Sequence, residues 1–124
     1  MDSFPERSTV EHLFAGIPVK DYGKALEWYT RIFGRAPDVV VTENRESMWQ
    51  LREHAWVYIV VDTMRAGNAL ATILVDDIEA QISALSHRGI RGLDMDIAPG
   101  LYRKVELSDG DGNRLTFADV PRRG

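Results

Sequence analysis

The chain has 124 residues, 44% of them apolar and 27% charged, which suits one ordinary domain with a single core. A formal net charge of −4 and a pI near 5.3 argue against a phosphate-backbone partner, so nucleic acid is not expected. The absence of cysteine excludes disulfides, thiolate metal sites and a cysteine nucleophile. No apolar run approaches the roughly 18 residues of a membrane span, and the opening residues lack a signal-peptide pattern, so the expectation is no membrane partner and a cytoplasmic location.

Residues 1–10 are polar, contain Pro5 and read as a loose N-terminal arm. His12 to Val19 reads as a strand, with Leu13, Ala15 and Ile17 on one face and His12, Phe14 and Gly16 on the other. Asp21 is a candidate helix N-cap, and Ala25, Leu26, Tyr29, Ile32 and Phe33 then recur with the helical period. Gly34 and Pro37 end that helix. Three β-branched or aromatic runs follow, Val39–Thr42, Ser47–Leu51 and Ala55–Val61, the last two joined through Glu53 and His54 as a hairpin. Asp62 to Asn68 reads as a linker.

Ala69–Val75 is the next strand. Asp76 and Glu79 have capping-box spacing, and Ile78, Ile82 and Leu85 continue as a helix. Short strands are expected around Asp94–Ile97, Tyr102–Ser108 and Arg114–Val120, the last two joined by the hairpin loop Asp109–Asn113. Pro121 to Gly124 should fray.

The second half repeats the first. At an offset of 56, Val19 and Asp21 fall on Val75 and Asp77, and Tyr22, Leu26 and Tyr29 fall on Ile78, Ile82 and Leu85. At an offset of 57, Tyr58, Val60 and Asp62 fall on Leu115, Phe117 and Asp119. The expected fold is α+β: tandem βαβββ modules, residues 11–66 and 67–124 after the arm at 1–10, in one structural domain with a curled mixed sheet and a concave cup. Leu115 and Phe117 should lie under a helix; Val57, Ile59, Arg114 and Thr116 should face the cup, and Trp56 and Tyr58 the helix side.

The run Val19-Lys-Asp21 leading into Ala25-Leu-Glu-Trp-Tyr29 and Phe33-Gly34, then Val75-Asp-Asp-Ile78, then Ser108-Asp-Gly-Asp-Gly-Asn-Arg-Leu-Thr-Phe117, resembles the vicinal oxygen chelate superfamily. That superfamily includes glyoxalase I, extradiol dioxygenases and bleomycin-resistance proteins. In its enzymes, His, Gln and Glu on the first and last strands of each module hold a divalent metal in the cup. The resemblance places those positions at Phe14, Ile59, Leu70 and Thr116, where only Thr116 carries a donor atom, and a poor one. It therefore implies a metal-free, cofactor-free and largely apolar cup.

His12, Phe14, Val57, Ile59, Leu70, Thr72, Lys104, Glu106 and Thr116 are the expected ligand-binding residues. Three of them have a plainer reading: His12 as an exposed strand-start histidine, Lys104 and Glu106 as solvating charges on an open sheet face. His54 and His87 are expected to lie too far from His12 for a metal cluster. Asp109, Asp111 and Asn113 begin like a calcium loop, but Arg114 and Val120 break the pattern, and a hairpin turn is expected. The expected function is metal-independent binding of a hydrophobic or aromatic small molecule, as in antibiotic sequestration, by a homodimer, with no catalytic residue assigned. The alternative is a divergent lyase, isomerase or dioxygenase with a displaced metal on His12 and Glu106.

Overall fold

A computed structural model describes residues 9–121. Most of the expected arm, residues 1–8, and the last three residues of the expected frayed end lie outside that range. The first half forms β1 (Leu13–Val19), α1 (Tyr22–Phe33), β2 (Val39–Thr42), β3 (Glu46–Arg52) and β4 (Ala55–Val61). The second forms β5 (Leu70–Leu74), α2 (Ile78–His87), β6 (Asp96–Ala98), β7 (Tyr102–Ser108) and β8 (Arg114–Asp119).

Each half makes one four-stranded mixed sheet, in the orders β1-β4-β3-β2 and β5-β8-β7-β6. β1 runs parallel to β4, and β5 parallel to β8; the remaining neighbours are antiparallel. The parallel pairing follows from the intervening helix, because two parallel strands need a long crossover. β1 and β5 are therefore edge strands of separate sheets.

Asp21 caps α1 through Lys24 N at 3.0 Å, as its sequence position suggests. Gly34 closes that helix with φ 76°, a left-handed turn that glycine adopts without strain. The cap of α2 is Asp77, which accepts from Ala80 N at 3.0 Å, and not Asp76. Asp77 is the repeat partner of Asp21. Glu79, free of a capping role, accepts instead from Arg103 at 2.9 Å.

One apolar cluster joins both halves: Ile17, Tyr29, Ile32, Trp49 and Ile59 from the first, Ile78, Leu85, Val105, Leu115 and Phe117 from the second. The helix-covered faces of the two sheets thus share a core, as burial of apolar area favours. Polar contacts fix how the halves meet. Tyr29 donates to Asp109 Oδ2 at 2.8 Å, and Asn113 Nδ2 donates to the Pro18 carbonyl at 2.8 Å. Arg88, at the end of α2, donates to the carbonyls of Arg31 and Ile32, the latter at 2.9 Å, and so caps α1 across the junction. Arg103 grips Asp119 with two bonds of 3.1 and 2.8 Å, and Asp119 in turn accepts from Ile78 N at the start of α2.

Two outcomes follow. Tyr29→Phe keeps the ring but removes a donor from a buried carboxylate, so equilibrium unfolding should show a loss of about 1.5–3 kcal/mol. Arg103 first, and the Ile78 N–H next, hold the Asp119 carboxyl below the usual aspartate range. A lowered folded-state value means stability that is present above the unfolded pKa and lost as pH falls through the folded one. Melting temperature should therefore hold from neutral pH to about 4–5 and drop below it. Asp119→Asn should lower it at neutral pH and flatten that acid limb.

Candidate functional site

The faces opposite the helices are the open ones. On the first sheet, the β1–β4 register sets Phe14 beside Trp56 and Gly16 beside Tyr58. Parallel neighbours in register point to the same side, so these four line the open face with Met48 and Gln50 of β3. Phe14 and Trp56 stack with centroids 5.5 Å apart and planes 16° from parallel. Gly16 makes room for Tyr58: a Cβ there would come within 2.5 Å of the phenol ring and hydroxyl. Trp56 Nε1 donates to His12 Nδ1 at 3.1 Å, and the His12 and His54 rings lie 5.3 Å apart.

On the second sheet, Leu70, Thr72, Thr116, Lys104, Glu106 and Arg114 line the open face. Its charges are already matched. Lys104 Nζ lies 4.7 Å over the Tyr102 ring and 4.0 Å from Asp96, and Arg114 lies 3.9 Å from Glu106. Thr116 is buried between its neighbours, whereas Leu70 is 76% exposed. Phe14 is 47% exposed despite its stacking.

Val57 and Ile59 do not belong to this site. They pair in register with Ala15 and Ile17 and with Trp49 and Ser47, on the face that α1 covers, and Ile59 is fully buried. Trp49 packs there against Tyr29 and Phe33 of the helix. Trp56 and Tyr58, expected on the helix side, take the open face instead. The last strands of the two halves are related by 58 residues, not 57, since Phe14 pairs with Trp56 as Leu70 pairs with Arg114. A slip of one residue turns every side chain to the other face. β4 is apolar on both faces, Ala-Trp-Val-Tyr-Ile-Val-Val, and so carries no alternation that would reveal its parity.

The corrected register places Phe14, Tyr58, Leu70 and Thr116 where the resemblance expects metal ligands. The set holds two hydroxyls and no carboxylate, amide or imidazole, so these residues do not fit a divalent metal. His54 does approach His12, contrary to expectation, because Leu13 N donates to His54 O at 2.8 Å across the strand start. His87 stands at the end of α2, away from both. Among the described residues no three His, Asp or Glu side chains converge on a metal position. The Trp56 bond engages the His12 Nδ1 lone pair, so that nitrogen is not open to a ligand. His12 directly precedes β1 of the first sheet, whereas Glu106 lies on β7 of the second.

No helix among the described residues is long and apolar enough to cross a membrane. No family model matches the sequence, and no curated relative does. Solved structures do match. A glyoxalase/bleomycin resistance protein from Catenulispora acidiphila DSM 44928 is 38% identical, over 89% of this chain and 98% of that one, with a TM-score of 0.83. TnmS3, an antibiotic binding protein from Streptomyces sp. CB03234, is 23% identical over 95% of this chain and 100% of that one, with a TM-score of 0.66. A glyoxalase/bleomycin resistance protein from the same Streptomyces is also 23% identical, over 86% and 97%, with a TM-score of 0.62. At that identity the last two speak for the fold.

The two faces should respond to charge in opposite ways. Ile59→Glu and Phe117→Glu bury an unpaired carboxylate and should cost at least about 4 kcal/mol, enough to unfold the chain at ambient temperature. Phe14→Glu and Leu70→Glu place it in water and should shift stability by less than about 1 kcal/mol. Thermal melting of the four variants measures the difference.

Proposed function

The chain belongs to the glyoxalase/bleomycin resistance protein family of the vicinal oxygen chelate superfamily, and on that premise we propose that it is a metal-independent binding protein for a hydrophobic or aromatic small molecule. The observation that carries this reading is the donor-poor set at Phe14, Tyr58, Leu70 and Thr116, beside the stacked Phe14–Trp56 pair. A flat apolar ligand gains from ring stacking and from loss of hydrated apolar area. The mechanism is sequestration: a ligand is held against the Phe14, Trp56 and Tyr58 rings, with Lys104, Glu106 and Thr72 as orienting polar groups. No bond is made or broken. An antibiotic-like molecule is the ligand class that this reading favours, in keeping with the antibiotic binding protein among the similar structures.

The protein acts in this reading as a homodimer. Leu13, Phe14, Leu70 and Leu74 are exposed and lie on β1 and β5, the unpaired edges of the two sheets. Free edges bearing large apolar residues are surfaces that proteins ordinarily cover. A second copy that lays its β5 edge against β1 would bring the two kinds of open face together and enclose the ligand between them.

A panel of aromatic antibiotics, followed by thermal shift and tryptophan fluorescence, tests the binding. A ligand at one hundred times its Kd should stabilise the protein by about 2.7 kcal/mol, with no change on adding a chelator. Phe14→Glu should weaken that ligand about a hundredfold, because the carboxylate must be desolvated on binding. Loss of binding in chelator, restored by a divalent metal, would refute the metal-independent reading. Light scattering at micromolar concentration should give twice the chain mass; a monomer would refute the assembly.

A further inference from the structure

The repeat gives the molecule two related grooves, each between the start of one helix and the end of a β-hairpin of the other half. One is lined by Lys20, Asp21, Lys24, Ala25 and Trp28 of α1 and its entry, facing the Asp109–Asp111 loop. The other is lined by Asp76, Asp77, Ala80, Gln81 and Ala84 of α2 and its entry, facing Leu51 and Arg52. The helix positions correspond one to one at the offset of 56, and Leu51 corresponds to Asp109 at 58.

The chain occupies the first groove itself. Trp28 lies in it, its ring 4.7 Å from that of Tyr29, and the Asp109–Asn113 loop folds over, with Asp111 accepting from Lys20 N at 3.2 Å. About 440 Å³ remains open. At the second groove Ala84 stands where Trp28 does, Ala80 where Lys24 does, and the short Glu53–His54 turn replaces the covering loop. The space there is about 750 Å³. Phe33, Ile73, Val75 and Phe117 supply apolar lining beside the charged residues.

The charges at its rim are not equivalent. Arg35 is held by Asp38 at 2.7 Å and by the Gln50 carbonyl, and Arg88 by the end of α1. Asp77 is engaged as the cap of α2. The Arg52 side chain is exposed and makes no hydrogen bond or ion pair among the described residues. The same is true of the Asp76 carboxylate at the same rim, so the site is cationic on its Arg52 side only. A guanidinium left free at the mouth of a mixed polar and apolar slot suits a carboxylate on an apolar body.

We propose that this second groove is a small-molecule site, separate from the open sheet faces, for an aromatic carboxylate. Its ring takes the place that the Trp28 indole has in the related groove, and its carboxylate meets Arg52 with Arg35 beside it. The groove's shape and charge both derive from the same break in the repeat: a tryptophan and an acidic loop on one side, an alanine and an arginine on the other.

Isothermal titration of the full chain with indole-3-acetate, and with indole-3-acetamide as the uncharged control, tests this directly. The acid should bind with a Kd between about 10 μM and 1 mM, at least tenfold tighter than the amide. Arg52→Ala should remove that preference. Ala84→Trp should fill the groove as Trp28 fills its counterpart, abolish binding and leave the melting temperature unchanged or raised. Phe14→Glu, on the open face, should leave the acid's affinity unaltered. No binding at millimolar acid, equal affinity for acid and amide, or loss of binding in Phe14→Glu but not in Arg52→Ala would each overturn the proposal. Phe14→Glu serves both tests with opposite expectations, weakening the antibiotic-type ligand and sparing the acid, while Arg52→Ala and Ala84→Trp touch this groove alone, so the two readings fail separately.

Discussion

The carboxylate of Asp109 is the point on which the assembly of the two halves depends. It is buried, and it accepts from Tyr29 Oη at 2.8 Å, Asn113 Nδ2 at 2.8 Å, and the backbone N–H groups of Asp111 and Asn113 at 2.9 Å each. A buried carboxylate without partners would be untenable; one with four donors is an anchor, because each donor would be stranded if the others moved. Burial first, and the Asp109 charge next, push the Tyr29 hydroxyl far above its usual range, which favours the protonated, donating form. Asn113 extends the anchor, donating to Pro18 O and accepting from Ala69 N. Through these bonds one loop holds the end of β1, the middle of α1 and the entry to β5. Gly67 shows how close the packing is, since a Cβ there would sit 2.3 Å from the Asp111 carbonyl oxygen.

The anchor has no counterpart on the other side of the junction. The repeat partners of Tyr29 and Asp109 are Leu85 and Leu51, which make apolar contact only. Arg88 supplies the polar tie there, and it acts on the helix end without covering the groove. A duplicated unit thus became two unlike interfaces: one closed by a satisfied polar network, one apolar and open. A polar network specifies a single arrangement, while an apolar contact leaves room for another apolar group. Fixed relative orientation of the two sheets comes from the first, and unfilled space from the second.

The repeat, the element order and the superfamily were legible because they rest on short-range patterns. The Val-x-Asp entry into each helix, the helical period, and the turn residues of Asp109–Asn113 each encode local geometry, and each element appears near its expected place. The capping residue of α2 was ambiguous in sequence, since Asp76 and Asp77 are adjacent and only the repeat distinguishes them. Parity of β4 was not legible at all. Its two faces are equally apolar because one packs on α1 and the other carries the aromatic rings of the open face, so hydrophobicity alone cannot assign them. β8 shows the contrast: Arg114 and Thr116 alternate with Leu115 and Phe117, and its faces were assigned correctly. The approach of His54 to His12 was invisible for a related reason, since it depends on the β1–β4 register.

The register correction changes the chemistry of the candidate site more than its donor count. With Ile59 at the position matching Thr116, the wall would be aliphatic and indifferent to ligand shape. With Tyr58 there, and Trp56 two residues before it, the face presents two rings on β4 and a third from Phe14. Gly16 is what allows them to lie down: a side chain at that position would lift Tyr58 off the sheet. The bond from Trp56 to His12 then fixes one indole edge, so the ring cannot turn freely. Rings held in place lose little freedom when a flat partner arrives, which favours binding by stacking over binding by collapse. The metal-independent reading survives either register, because neither supplies a carboxylate or imidazole. The proposed preference for flat, aromatic ligands draws its support only from the corrected one.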